Sequence, residues 1–378
     1  MKEGAPRLAS LDAFRGFVML SMASMGFGTW LLVEHPVFGA FARQFQHAPW
    51  EGCRFWDLIQ PSFLFIVGVA MPFSERSRKE RGQSPRARLG HAVRRALLLA
   101  SVGIGLDCAT APGLAIHFTR VLQQIAIAYL ISYAVLSRGP RVQIGAIVLV
   151  LATYTIAFSL YRPPGAPPPS RRAPPEAAYF YDPVPVSTGE GPWRHRNNLG
   201  SRLDDLLLGW NDPRGYSTAN AWSSAANMLA GVLVGGLLLS NVSRRRKVLW
   251  MAAGAAAVLL AGLALASGGL VPLVKRLWTA SFALVSTGAT VGLFLGFYLA
   301  VDVAGWRRWA FPFVVAGRNS IAAYCLSELL GLPLLAAFLH LPLSPLGAFA
   351  PVVAATAALA LQWGFLYFLH RRGIYFKL

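Results

Sequence analysis

The sequence predicts an all-α polytopic membrane protein, with about ten transmembrane helices in one bundle and a long outer loop. Three observations predict it. Of the 378 residues 55% are hydrophobic and only 13% are charged, where a soluble domain carries about 25% charged residues. Apolar runs of about 20 residues recur along the chain, long enough to cross a hydrocarbon core about 30 Å thick. Basic residues gather in alternate loops, as the cytoplasmic loops of membrane proteins do. The short alternating segments of a transmembrane β-barrel are lacking.

Spans are expected at roughly 11–33, 56–74, 92–111, 119–137, 142–161, 220–240, 248–267, 276–302, 311–333 and 348–369. The first opens with Asp12 and Arg15 and is too long for the apolar region of a signal peptide, so it reads as a retained span. The second begins near Asp57 and Pro61 and is followed by "SERSRKERGQSPRARLGHAVRR". "SRGPR" follows the fourth, "SRRRK" the sixth, "GWRRW" the eighth and "HRRGIYFKL" the tenth. The N-terminus, with Lys2 and Arg7, falls on the same side, so both termini are expected to be cytoplasmic. The opposite short loops hold only Arg43, Arg54, Lys275 and Arg276. Residues 162–219 form the long extracytoplasmic loop within a single domain spanning 1–378. Its first part, "RPPGAPPPSRRAPPEA", is proline-rich and expected to be irregular. Its second part places Leu199, Leu203, Leu206 and Leu207 at helical spacing, so a short surface helix is expected there.

The net charge of +19 is mostly topological, and nucleic acid is not an expected partner. Cys53, Cys108 and Cys325 form neither a disulfide framework nor a metal-ligand spacing, so no metal is expected. Charges inside the membrane cost about 3 kcal/mol on insertion scales and need a partner or a role. Asp12 and Arg15 share a helix face; they either pair and anchor the interface or line a site for a cytosolic ligand. Arg318 and Asn319 lie among Gly317, Ser320 and Ala322, small residues that let helices approach; packing and cavity lining are both open for them. Asp107, Arg120 and Glu328 are expected to be structural, near helix ends.

The stretch "QFQHAPWEGCRFWDLIQPSFLF" (44–65) carries the chemistry. It sets His47 in a short loop with Trp50, Gly52, Trp56 and Asp57 within ten residues. Histidine is suited to take a proton near neutral pH, or to carry an acyl group as a nucleophile. A carboxylate such as Asp57 can orient the ring and stabilise the imidazolium. The indoles of Trp50 and Trp56 either belong to an interfacial belt or line a substrate site. The remaining histidines read as solvated loop or interface residues.

In order along the chain run "RLASLDAFRGFVMLSM", "HAPWEGCRFWDLIQPSFLFIVGVAMPFS", "VLQQIAIAY", "LDDLLLG", "VKRLWTASFALVSTG" and "AGRNSIAAY". Together they resemble the transmembrane heparan-α-glucosaminide N-acetyltransferase family and its bacterial relatives. The chain departs from the family pattern at Gly26, at Gln124, at "TANA" (218–221) and at Val274. The resemblance implies an acetyl-CoA-dependent acyltransferase in the membrane, of the bacterial inner membrane in this case. Cytosolic acetyl-CoA would be the co-substrate and an amino sugar or glycan the acceptor on the far side. It places the catalytic histidine at His47 and the nearby aspartate at Asp57. Asp12, Arg15, Arg318 and Asn319 would serve coenzyme A, Trp50 and Trp56 the acceptor, and a homodimer is suggested. An O-acyltransferase for a cell-envelope glycan or lipid-linked sugar is the alternative; a transporter fits less well, because no repeated half is visible.

Overall fold

A computed structural model describes residues 8–24, 26–110, 116, 118–162, 191–212, 214–339, 341 and 344–376. The helices among them are α1 (Ala9–Ala23), α2 (Gly39–Ala42), α3 (Ile59–Glu80), α4 (Pro85–Thr110), α5 (Val121–Val135), α6 (Pro140–Leu160), α7 (Leu199–Leu208), α8 (Asn220–Leu239), α9 (Arg244–Ser267), α10 (Ala280–Phe297), α11 (Phe311–Arg318), α12 (Ser320–Leu339) and α13 (Ala350–Arg371). No strand occurs among the described residues. The expected all-α polytopic membrane protein is the fold observed. Six segments are long and apolar enough to cross a membrane: Phe55–Glu80, Pro140–Leu160, Asn220–Leu239, Arg244–Ser267, Ala280–Val303 and Ala350–Arg371. Val121–Val135 and Ser320–Gly331 are apolar but shorter. The proline-rich 163–190 segment lies outside the described residues.

Two expected spans are broken, each for a local reason. α1 stops at Ala23 because Gly26, Phe27 and Gly28 turn left-handed, at φ 69°, 58° and 65°. The ninth span divides at Asn319, whose ψ of 40° ends α11 before α12 begins. The expected surface helix is present as α7. Asn198 caps it by accepting from Ser201 N at 3.0 Å, and Gly209 ends it at φ 60°, the asymmetric chemistry of helix ends.

The described residues of Met1–Gln46, Arg54–Ile59 and Leu293–Leu378 form one compact unit, and His47–Cys53 with Gln60–Gly292 a second. In the first, α1 crosses α11 with backbones in contact. A Cβ on Gly16 would fall 1.6 Å from the Phe313 carbonyl oxygen, and one on Gly317 2.0 Å from that of Asp12. Around this crossing, Phe14 and Phe17 pack against Phe297 at ring distances of 5.3 and 5.4 Å.

In the second unit α3 and α8 form the equivalent seam. Cβ atoms on Gly68, Gly231 and Gly235 would lie 2.0–2.4 Å from carbonyl oxygens of the facing helix. Gly236, next in the same small-residue run, meets nothing within 4 Å. Buried polar side chains then tie the helices. Gln60 donates to Gln124 Oε1 at 2.7 Å. Asp107 pairs with Arg120 and accepts from Gln123 at 2.7 Å, the structural role expected of it. Such interhelical bonds average about 0.6 kcal/mol in membrane bundles.

Candidate functional site

The densest polar construction in the second unit surrounds the segment 271–281, between α9 and α10. Its sequence "VPLVKRLWTAS" folds into a tight turn. Trp278 N donates to the Lys275 carbonyl at 2.9 Å and Thr279 N to the Val274 carbonyl at 3.2 Å. The Val274 amide donates to Thr279 Oγ1 at 3.1 Å, and Ser281 Oγ to the Pro272 carbonyl at 2.7 Å. Trp278 adopts φ 50°, a costly conformation for a bulky residue that persists only where surroundings over-determine it. Those surroundings are evident. The Trp278 side chain is fully buried and donates to Asn227 Oδ1 at 2.9 Å. Asn220 donates to the Arg276 carbonyl at 2.6 Å, Tyr154 to that of Leu277 at 2.6 Å, and Ser223 to that of Trp278 at 2.7 Å. Three consecutive carbonyls are thus held by side chains of α6 and α8.

This turn presents Lys275, only 6% exposed, to His47. Lys275 Nζ lies 2.9 Å from His47 Nδ1. The loop bearing His47 is pinned to the same turn, because Gly52 N donates to the Leu273 carbonyl at 2.8 Å. Gly52 sits at φ 119°, which a side chain would resist. Trp50 is 3% exposed and donates its indole N–H to the Trp193 carbonyl at 3.2 Å. It meets His195 edge-on at 5.0 Å and packs with Tyr154, Phe158, Trp193 and Leu277. Gly215, at φ 84°, lets the backbone close over both rings; a Cβ there would stand 2.5 Å from His195 and 2.9 Å from Trp50.

An ion pair with a buried carboxylate braces the neighbouring loop. Arg214 grips Asp212 through Nε at 3.0 Å and Nη2 at 2.7 Å, and Arg276 Nη1 donates to the Arg214 carbonyl at 3.1 Å. Burial pulls the Asp212 carboxyl upward, but the charge and hydrogen bonds of Arg214 and the charge of Arg276 together outweigh it, so it titrates below the ordinary carboxylate range. Asp204 accepts from Thr218 N at 3.0 Å. Burial, only partly offset by hydrogen bonds from Thr218 and Ser217, holds its carboxyl above the ordinary range.

The other expected site residues fall in the first unit. Asp57, 1% exposed, closes the turn Phe55–Leu58 that leads into α3. Its Oδ2 accepts from Arg54 N at 3.0 Å, while its own amide donates back to the Arg54 carbonyl at 3.0 Å, a reciprocal cap. Trp56, half-buried, rides on the same turn. Asp12 and Arg15 pair at 3.4 Å. Asn319 binds the C-terminal segment, donating to the Ile374 carbonyl at 3.0 Å and accepting from Phe376 N at 3.1 Å. Arg318 stacks on Tyr375, 4.4 Å from the ring centroid. His47 and Asp57 thus belong to different compact units, and the close partner of the imidazole that sequence reasoning missed is Lys275. Its signal was the motif "VKRLWTASF", distant in sequence from His47. Among the described residues no three His, Cys, Asp or Glu side chains gather in a metal-binding group.

The family model described as heparan-alpha-glucosaminide N-acetyltransferase, catalytic, matches residues 7–168. That span includes Asp12, Arg15, His47, Trp50, Trp56 and Asp57 but stops before Lys275 and Arg318. The chain is 26% identical over 379 residues to the human protein named heparan-alpha-glucosaminide N-acetyltransferase, covering 84% of this chain and 52% of that protein. It is 26% identical over 394 residues to the mouse protein of the same name, covering 87% and 54% respectively. The chain therefore spans about half the length of the curated relatives it matches. The resemblance expected from the motifs is borne out: this chain is similar to the family model and to both of these proteins.

Proposed function

We propose that this chain is a membrane acyltransferase that moves an acetyl group from acetyl-CoA to an amino sugar or glycan, with His47 as the reacting imidazole. The donor enters from the cytoplasmic side and the acceptor from the other, in the orientation expected from the loop charges. The single observation that carries this reading is the contact of His47 with Lys275 on a turn whose carbonyls are already fixed. A positioned imidazole with a defined Nδ1 partner is what general-base or nucleophilic catalysis needs.

The contact also defines which proton must move. A charged lysine only donates, so beside an ammonium Nδ1 accepts and Nε2 carries the ring proton. Loss of one proton from the pair reverses the bond. The neutral lysine then accepts Nδ1–H, and the Nε2 lone pair becomes free to react. In the ternary route Nε2 takes a proton from the acceptor ammonium, and the amine nitrogen attacks the thioester carbonyl. The C–N bond forms, the C–S bond breaks, and the leaving coenzyme thiolate takes the proton that the nitrogen sheds as it becomes an amide, while the proton on the imidazole passes to solvent. In the two-step route Nε2 attacks the thioester first, the C–S bond breaks with release of the coenzyme thiolate, and the acetyl group rests on His47 before the amine takes it. Asp57 caps the turn Phe55–Leu58 that leads into the next helix.

Purified protein incubated with radiolabelled acetyl-CoA and a panel of amino and hydroxyl sugars tests this reading. Label should pass to amino sugars with wild type and not with His47→Ala. Label held on the protein when acceptor is omitted identifies the two-step route. Transfer by a folded His47→Ala protein at the wild-type rate overturns the assignment, and transfer to hydroxyl sugars alone replaces N-acylation with O-acylation.

A further inference from the structure

A second polar cluster in the same unit is built differently. An open cavity between α3, α4 and α5 is lined by Ser74, Glu75, Arg78, Arg88, His91 and Tyr133, with Met71, Ala92 and Leu136 supplying apolar wall. Glu75 is ion-paired to Arg88 and lies 3.6 Å from Lys79. Arg78 donates to Gln83 Oε1 at 3.0 Å and lies 2.6 Å from His91 Nε2. Arg95 stands over the ring of Tyr129, another wall residue, at 5.0 Å. One carboxylate thus answers several cations. The Nε atoms of Arg78, Arg88 and Arg95 are moreover buried with no hydrogen-bond acceptor among the described residues.

Buried donors left unsatisfied cost about 1–3 kcal/mol each, more when charged. A surplus of buried positive charge costs further unless an anion joins it. Both costs are met by one kind of group. A phosphate presents several anionic oxygens to converging guanidinium forks, and arginine binds it in paired hydrogen bonds. A carboxylate offers fewer oxygens than this cavity has donors. Ser74 and Tyr133 add hydroxyls at the same wall, and the apolar residues suit a hydrocarbon or extended arm attached to the phosphate. Basic pockets between transmembrane helices bind lipid head groups on this principle.

We propose that the Arg78–Arg88 cavity, with Arg95 behind its Tyr129 wall, is a binding site for a phosphate ester, supplied either by an anionic membrane lipid or by a soluble cytosolic phosphate ester. The site is independent of the acyl-transfer reading, since none of its residues touches His47 or Lys275. Native mass spectrometry and thermal melts of delipidated full-length protein test it with two probes, phosphatidylglycerol and glycerol 3-phosphate. Diacylglycerol and glycerol serve as their uncharged counterparts. Wild type should retain one phosphate probe and be raised in melting temperature by it, and which probe does so identifies the source. The Arg78→Gln/Arg95→Gln double variant should bind that probe at least tenfold more weakly, whereas Arg244→Gln/Arg245→Gln, on exposed positions of α9, should bind as wild type does. If the double variant does not fold, Arg78→Lys carries the test: it keeps the charge, loses the fork and should bind severalfold more weakly. Failure of both probes to bind wild type overturns the proposal. So does equal binding of the uncharged counterparts, unchanged binding by the Arg78 variants, or an equal loss in the α9 variant.

Discussion

Two polar clusters in the second unit, one around Lys275 and one around Arg78, differ in what their hydrogen bonds fix. At Lys275 the carbonyls of 276, 277 and 278 each have a side-chain donor, and the carboxylate of Asp212 is gripped by Arg214. At Arg78 three guanidinium Nε atoms are buried without acceptors. A satisfied polar network in a low-dielectric interior is rigid, and rigidity is what a reacting group requires, because a misplacement on the order of 1 Å can cost about 10²-fold in rate. An unsatisfied one is a binding surface for a group of opposite charge. On the two proposals made above, the first cluster is the place for chemistry and the second the place for an anion.

The largest expected effect tests the first half of that contrast. His47→Ala should lower acetyl transfer by about 10²- to 10⁴-fold, the usual contribution of a positioned general base. The melting temperature should stay close to wild type, because the loop remains pinned through Gly52 N and the Leu273 carbonyl. Steady-state transfer rates with thermal melts on the same preparation decide it. A well-folded His47→Ala protein with near-normal turnover would dissolve the comparison at its stronger end.

Next in size is Lys275→Met. The methionine fills similar space and removes the Nδ1 partner, so the imidazole loses its fixed orientation and the route for the proton on Nδ1. Turnover should fall about 10²-fold, as for a small misplacement, and KM should change less than kcat. A merely structural lysine would instead alter stability and leave kcat alone.

The sequence made part of this arrangement legible. Span positions followed from apolar runs and loop charges, and α7 from the spacing of Leu199, Leu203, Leu206 and Leu207. His47 stood out through its company of Trp50, Gly52, Trp56 and Asp57. Its contact with Lys275 could not be read, because 228 residues separate the pair and hydropathy says nothing about which loops meet. The break at Asn319 was equally hidden: small residues around it suggested a continuous packed helix, and the end is set by hydrogen bonds to the distant C-terminal segment.

A smaller effect sharpens the contrast in stability. Asn220→Ala leaves the Arg276 carbonyl buried without its donor, which should destabilise the protein by about 1–3 kcal/mol. It should also lower turnover through the loosened turn. Arg94→Gln, an exposed position on α4, should shift stability by about 0.5 kcal/mol or less. Denaturant or thermal unfolding of both variants makes the comparison. Equal effects would mean that the network around the Lys275 turn is no more rigid than the surface of the basic cluster.

The smallest effect is a pH dependence with opposite signs at two neighbouring aspartates. Asp212 titrates below its ordinary value of 3.8, so its ion pair contributes stability that is present above 3.8 and is lost as pH falls through the lower folded value. Asp204 titrates above the same ordinary value, so its contribution is greatest at or below 3.8 and is lost as pH rises through the higher folded value. Asparagine at position 204 keeps an oxygen for Thr218 N while removing the charge, which at neutral pH is the costly form. Melting temperatures measured from about pH 3 to about pH 7 should therefore move in opposite senses for the two variants. Asp212→Asn should be less stable than wild type at neutral pH, with the gap closing only below 3.8. Asp204→Asn should equal or exceed wild type at neutral pH, with its advantage disappearing as pH falls toward 3.8. Each difference should be about 2–4 °C at most. Parallel curves for the two variants would mean that Arg214 does not hold Asp212 as the geometry requires, and that the brace beside the Lys275 turn contributes nothing to its rigidity.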